Sequence, residues 1–154
     1  MEIERKFLIQ QKNLPADLSS YPCHEIEQGY LCTAPVVRIR RQDDSYYLTY
    51  KSKGFMAREE YNLPLTAEAY AHLKPKADGV IISKTRYLIP EKDGLTIELD
   101  VFHDAYDGLL LAEVEFSSEE AANSYTPPAW FSEDVTFSSK YHNSTLSSGE
   151  NPLY

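Results

Sequence analysis

Runs in which polar and apolar residues alternate, punctuated by Asp, Gly, Pro and Ser, occupy most of the chain. A period of two is the signature of strands that show one face to a core and the other to something polar. Strands are therefore expected near residues 1–9, 24–32, 36–41, 45–53, 57–64, 80–89, 94–102 and 109–117, all rich in Tyr, Val, Ile or Thr. Asp43-Asp44, Lys53-Gly54 and Lys92-Asp93-Gly94 carry turn chemistry between them. Helical signals are few. Thr66 is placed to cap a segment running to about Lys74, with Glu68 in its first turn and Pro75 to stop it. Ser117 or Ser118 can cap a second short helix at Glu119-Glu120, and Pro127-Pro128 mark residues 124–132 as loop. Residues 1–147 are expected to form one domain, and residues 148–154 a frayed tail.

The polar strand faces are unusual in what they carry. Alternation puts Glu2, Glu4 and Lys6 on one side of the first strand and Ile3, Arg5 and Phe7 on the other. The same device pairs Arg38 with Arg40, Lys51 with Lys53, Lys84 with Arg86, Glu98 with Asp100 and Glu113 with Glu115. Behind these charges stand Ile97, Leu99 and Val101, or Ala112, Val114 and Phe116, which call for burial. A solvated surface is the plain reading of any one strand. Solvated faces, however, mix charges with Ser, Thr, Asn and Gln, whereas here some strands offer cations and others anions. About eight antiparallel strands in 154 residues suggest a closed barrel or a strongly curved sheet, because closure removes exposed edges. With the charges inside, such a barrel needs a ligand that satisfies both signs. A polyphosphate held by guanidinium and ammonium groups, with a divalent metal held by carboxylates, does so.

Overall charge narrows the partners. A formal net charge of −9 argues against general binding of nucleic acid or of an anionic membrane, so any cationic function is local. Cys23 and Cys32 lack metal-ligand spacing and read as reduced thiols. No apolar stretch reaches spanning length and Glu2 does not suit a signal peptide, so a soluble, cytoplasmic protein is expected. His24, His72, His103 and His142 show no zinc-binding spacing and are assigned to surface or structural positions.

The ordered set of charged pairs resembles a known family. Glu2-x-Glu4-x-Lys6 is similar to the E-x-E-x-K signature of the CYTH superfamily, the triphosphate tunnel metalloenzymes. It is followed in the family's order by Gln28-Gly29-Tyr30-Leu31, Arg38-x-Arg40, Thr49-x-Lys51, Arg58-x-Glu60, Lys84-x-Arg86, Glu98-x-Asp100 and Glu113-x-Glu115. The resemblance covers nearly the whole chain. It implies a mainly β (α+β) fold, an eight-stranded antiparallel closed β-barrel or tunnel with a few short flanking helices. It also implies metal-dependent hydrolysis of a triphosphate, foremost inorganic tripolyphosphate, with Mg2+ or Mn2+. On the matching positions, Glu2, Glu4, Glu98, Asp100, Glu113 and Glu115 would surround the metal. Arg38, Arg40, Lys51, Lys53, Arg58, Lys84, Arg86 and Lys140 would hold phosphate oxygens. Lys6 would position the bound chain or accept a proton, and Glu60, Glu98 or Asp100 would orient the attacking water. Two positions depart from the pattern: Asn62 stands where a further acidic residue is common, and Lys140-Tyr141-His142-Asn143 replaces an R-Y-S-N segment. The same grip could serve a class IV-like adenylyl cyclase, a thiamine or nucleoside triphosphatase, or a polyphosphate-binding module without turnover. The number of carboxylates speaks against the last.

Overall fold

The computed structural model describes residues 1–149. Its strands are β1 (Glu2–Leu8), β2 (Cys23–Thr33), β3 (Val36–Gln42), β4 (Ser45–Lys51), β5 (Ala57–Arg58), β6 (Glu60–Pro64), β7 (Asp78–Pro90), β8 (Thr96–Phe102) and β9 (Leu110–Glu115). They form one antiparallel sheet in the order β5-β1-β9-β8-β7-β2-β3-β4-β6. The strands at its two ends are consecutive in the chain, separated by Glu59 alone, so the sheet curls round until its edges nearly meet. The expected eight strands become nine because 57–64 is not one strand. Ala57 and Arg58 pair with β1, whereas Glu60–Pro64 pair with β4. A tilted, staggered barrel makes this offset natural, since the closing segment must leave one neighbour before it meets the other. The strand expected over 45–53 ends at Lys51, so Lys53 falls in the turn and loses the alternation that would have aimed it inward.

Three short helices flank the sheet: α1 (Ala67–Leu73), α2 (Glu119–Ser124) and α3 (Asn143–Leu146). The first two begin as their caps require. Thr66 Oγ1 accepts from Ala69 N at 3.0 Å and Ser118 Oγ from Ala121 N at 3.0 Å, each satisfying an amide that the helix cannot. Nothing in the apolar pattern signalled α3. The expected tail, 148–154, lies for the most part outside the described residues; Ser148 and Gly149 still donate to the carbonyls of Thr145 and Leu146.

Alternation sorts the strands into two cores. On the outside of the barrel, Phe7, Leu99, Ala112 and Val114 pack against Ala122 of α2 and against Tyr125 and Phe131 of the following loop. Burial of each such large side chain contributes about 1.5–3 kcal/mol. Arg5 ties this layer down. Its Nη1 donates to the carbonyls of Ala122 (3.0 Å) and Tyr125 (2.9 Å), and its Nη2 pairs with Asp134 at 2.8 Å. Asp134 also bridges to Phe7, where residues 132–135 run along β1 beyond the short β5. The second core lies on the inner face and includes Tyr30, Val36, Ile82, Phe102, Leu111, Val135 and Leu146 of α3. On β7 the inner row reads Ile82, Lys84, Arg86; on β8, Phe102, Asp100, Glu98; on β9, Leu111, Glu113, Glu115. Each row passes from apolar to charged. The barrel interior is thus divided along its length into an apolar plug and a polar cavity.

Candidate active site

The polar part of the interior is a cavity of about 320 Å³. Its basic lining is Lys6, Arg38, Arg40, Lys51, Arg58 and Arg86, and its acidic lining Glu2, Glu4, Glu60, Glu98, Glu113 and Glu115. These groups come from eight of the nine strands' worth of sequence motifs only because neighbouring strands stay in register. Lys6 stands opposite Glu113 and Glu4 opposite Glu115 across β1 and β9; Glu98 stands opposite Glu113 across β8 and β9.

Four of the residues singled out in the sequence are not on this wall. Lys84 and Asp100 have side chains with 0% exposure and lie behind it, Nζ to Oδ2 2.7 Å apart. Asp100 is also gripped by both arms of Arg86, at 2.7 Å from Nε and 2.9 Å from Nη2. Burial opposes charge on Asp100, yet Arg86 and Lys84 more than offset it and hold the carboxyl below its usual range. Burial pulls Lys84 down to about 7 against the pull of Asp100. Each oxygen of Asp100 is engaged by Arg86 or Lys84, and Lys84 Nζ also donates to Asn143 Oδ1 at 3.3 Å. Lys53 is exposed and lines a second cavity, described below. Lys140 is exposed as well, its Nζ 5.8 Å from the centroid of the Tyr141 ring.

The acidic lining is crowded. Directly opposed like charges in a ladder repel, and Glu4 facing Glu115 and Glu98 facing Glu113 are two such pairs. Burial, then Glu113 and Glu2, push the Glu4 carboxyl up to about 8. Glu2 is raised by burial although Lys51 sits 2.8 Å away. Glu113 goes the other way: burial works against its charge, but Lys6 at 3.6 Å and Arg86 at 3.7 Å keep it ionised. Around Glu2, Glu4 and Glu115 the carboxylates are thus short of positive charge. The donors are all carboxylate oxygens, the set that hard divalent cations such as Mg2+ and Mn2+ prefer, so the residues fit such an ion. Among the described residues, no three acidic, histidine or cysteine groups are already gathered tightly enough to hold one.

The basic lining is partly unsatisfied. Arg38 Nε is buried without a hydrogen-bond partner in the structure. Arg40 is lowered to about 9 by burial and by the nearby charges of Arg38 and Arg86, with Gln28 Oε1 accepting from its Nε at 2.8 Å. Clustered guanidiniums whose donors lack acceptors are what a multiply charged oxyanion requires.

A row of hydrogen bonds crosses three strands between the two linings. Arg38, Thr49 and Asn62 are register partners on β3, β4 and β6. Arg38 Nη2 donates to Thr49 Oγ1 (3.3 Å), Thr49 Oγ1 to Asn62 Oδ1 (2.6 Å), and Asn62 Nδ2 to Glu60 Oε1 (2.9 Å). All three bonds point the same way, ending on a carboxylate. Burial opposes ionisation of Glu60, but the hydrogen bond from Glu2, the charge of Lys51 and the bond from Asn62 bring it down to about 2. The missing acidic residue at 62 is therefore replaced by an amide that orients Glu60.

The sequence reading missed the contribution of the C-terminal segment. His142, Asn143 and Ser144 line the cavity, and Lys6 Nζ donates to the Tyr141 carbonyl at 3.3 Å. His142, assigned above to a surface or structural role, is lowered to about 4 by burial and by Lys6 and Arg58. The one available signal was the Lys140-Tyr141-His142-Asn143 resemblance, which pointed to the segment but to its lysine.

A β-barrel whose interior joins an apolar plug to a cavity with acidic and basic walls has the residues that would hold an oxyanion together with a divalent cation. Residues 1–148 match the CYTH domain family model, and the chain belongs to that family. It is 40% identical to an inorganic triphosphatase of Nitrosomonas europaea over 149 residues, covering 94% of this chain and 95% of that one. It is 33% identical to an inorganic triphosphatase of Acetivibrio thermocellus over 153 residues, covering 94% and 92%. A solved inorganic triphosphatase structure superposes with a TM-score of 0.72 at 36% identity, covering 98% of this chain and 97% of that one. A Hippeastrum structure at 17% identity, with a TM-score of 0.63 over 80% of this chain and 83% of that one, shares the fold.

Proposed function

We propose that this chain is a divalent-metal-dependent triphosphatase that hydrolyses inorganic triphosphate to pyrophosphate and orthophosphate. The observation that carries this reading is the convergence of six basic and six acidic side chains on one cavity, with the carboxylates crowded and Arg38 Nε lacking an acceptor. Two relatives of nearly equal length, at 40% and 33% identity, are inorganic triphosphatases.

The chemistry follows from charge. A triphosphate repels an incoming water, and cations placed on its oxygens lower that repulsion and stabilise the leaving group. Arg38, Arg40, Lys51, Arg58 and Arg86 would hold the phosphates, and Lys6, steadied by the Tyr141 carbonyl and Glu113, would fix the reacting end. Glu2, Glu4, Glu98, Glu113 and Glu115 are the oxygen donors for Mg2+ or Mn2+, which when bound would neutralise phosphate charge. Water forms a bond to the terminal phosphorus, the bridging P–O bond breaks, pyrophosphate leaves, and a carboxylate takes the water's proton. Glu60 would orient that water, its own orientation set by Asn62. Asp100, with every oxygen engaged, takes no part in this step.

Purified protein supplied with tripolyphosphate, ATP or thiamine triphosphate and Mg2+ or Mn2+ tests the reading once the products are resolved. Orthophosphate from tripolyphosphate is expected. Cyclic AMP from ATP would make the chain a cyclase instead, and tight binding with no product would make it a binding module. Two exposed free cysteines, Cys23 and Cys32, favour the reducing cytoplasm as its place of work. Among the described residues no helix is long and apolar enough to cross a membrane.

A further inference from the structure

Beside the polar cavity lies a second one of about 240 Å³, sharing Val36, Arg58, His142 and Ser144 with it. Its chemistry is different. Six carboxylates line the first cavity and none lines the second. Its charged residues are Lys53 and Arg58, and neither has a carboxylate partner among the described residues, in a chain whose formal net charge is −9. Thr33, Ser139 and Ser144 add hydroxyls to the lining, while the Ser52 hydroxyl accepts from Glu59 N at 2.9 Å. Phe55 closes one side, its ring 5.3 Å from that of His142 and 6.3 Å from that of Phe137. Cations without carboxylate partners in an acidic protein, with hydroxyls and the Phe55 ring beside them, make a receptor for an anion that brings no metal with it.

We propose that this second cavity is a metal-independent phosphate subsite, continuous with the active cavity through Arg58. It rests on the triphosphatase reading, and it adds a fourth phosphate position outside the metal-bound chain. One phosphate group could reach it in two ways: as orthophosphate released by the reaction, or as the next unit of a linear polyphosphate longer than three. Either way a carboxylate introduced into the lining repels it, while the acidic cavity next door keeps its own residues.

Ser139→Asp is the variant of choice, since Ser139 is exposed, belongs to no strand and lies outside the active cavity; Thr33→Asp is the second. Thermal melts establish that both fold. Calorimetry with orthophosphate in chelator, free of divalent ions, is expected to show binding that each variant weakens about fivefold or more. If relief of orthophosphate inhibition accompanies this, the subsite holds released product. If instead KM for linear tetraphosphate rises about fivefold while KM for triphosphate stays put, it holds the longer chain. Metal-free orthophosphate binding equal in wild type and both variants, with neither kinetic change, overturns the proposal. Failure of the wild type to hydrolyse triphosphate would overturn the triphosphatase reading, and the metal-free calorimetry would still report on the subsite.

Discussion

Asp100 and Glu98 stand two residues apart on the same face of β8, and their environments could hardly differ more. Asp100 is fully buried between Lys84 and Arg86, every oxygen engaged. Glu98 lines the cavity, faces Glu113 across the ladder, and shares only the Nη1 of Arg86, at 3.1 Å. Deep in the barrel, between the apolar plug and the cavity floor, the carboxylate is held by cations on both sides and serves the fold. One turn of the pleat further out, like charges face each other and serve a ligand. The same residue types in the same sequence pattern therefore do opposite work, and what separates them is solvent access and the sign of the cross-strand neighbour.

The contrast can be broken most directly at Asp100. Asp100→Asn removes the only carboxylate paired with Lys84 among the described residues and the bidentate partner of Arg86, and is expected to cost about 3–5 kcal/mol of stability, read by denaturant unfolding. A variant that keeps wild-type stability and loses only activity would move Asp100 back into the catalytic wall. Glu4→Gln should do the reverse. Removing one of several crowded carboxylates leaves the melting temperature unchanged or raised, while turnover of triphosphate falls about 100-fold or more. Lys6→Ala should match that loss of turnover with the fold intact; wild-type rates in both variants would remove the proposed site.

Smaller effects sharpen the picture between the two walls. Arg38→Ala is expected to raise KM about tenfold, as loss of a phosphate-holding cation should, with a smaller change in kcat. Asn62→Leu should instead lower kcat about fivefold with KM nearly constant, because it frees Glu60 while Arg38 keeps its bond to Thr49. Equal effects on KM and kcat in both variants would dissolve the distinction. The smallest effect belongs to the barrel exterior. Burial opposes charge on Asp134, but hydrogen bonds from Thr136 and Arg5 win and lower its carboxyl. A lowered acid contributes stability above its unfolded value of about 4, and that contribution fades as pH falls through the lower folded value. Asp134→Asn should flatten this acid limb of the stability profile by a small amount, the group being partly exposed.

Much of this was legible in the chain. Period-two alternation located the strands, because a strand can bury only every other side chain, and it put Glu2, Glu4 and Lys6 on one face and Arg5 on the other. Caps at Thr66 and Ser118 announced two helices through chemistry local to a few residues. Alternation says which face a residue occupies and nothing about how far along the barrel it lies. Alternation accordingly groups Lys84 and Asp100 with Arg86 and Glu98, although they sit behind the cavity wall. Lys53 was carried inward by a strand that ends two residues earlier.

The split at Glu59, the plug formed with Leu146, and the arrival of His142, Asn143 and Ser144 at the cavity all depend on contacts between residues far apart in the chain. Sequence by itself determined the fold class, the two kinds of wall and most of the ions that build them, since side-chain direction and charge are local properties. Only the tertiary structure decided which of those ions pair with each other and which are left for a ligand, because that choice is made by cross-strand register and by depth from solvent.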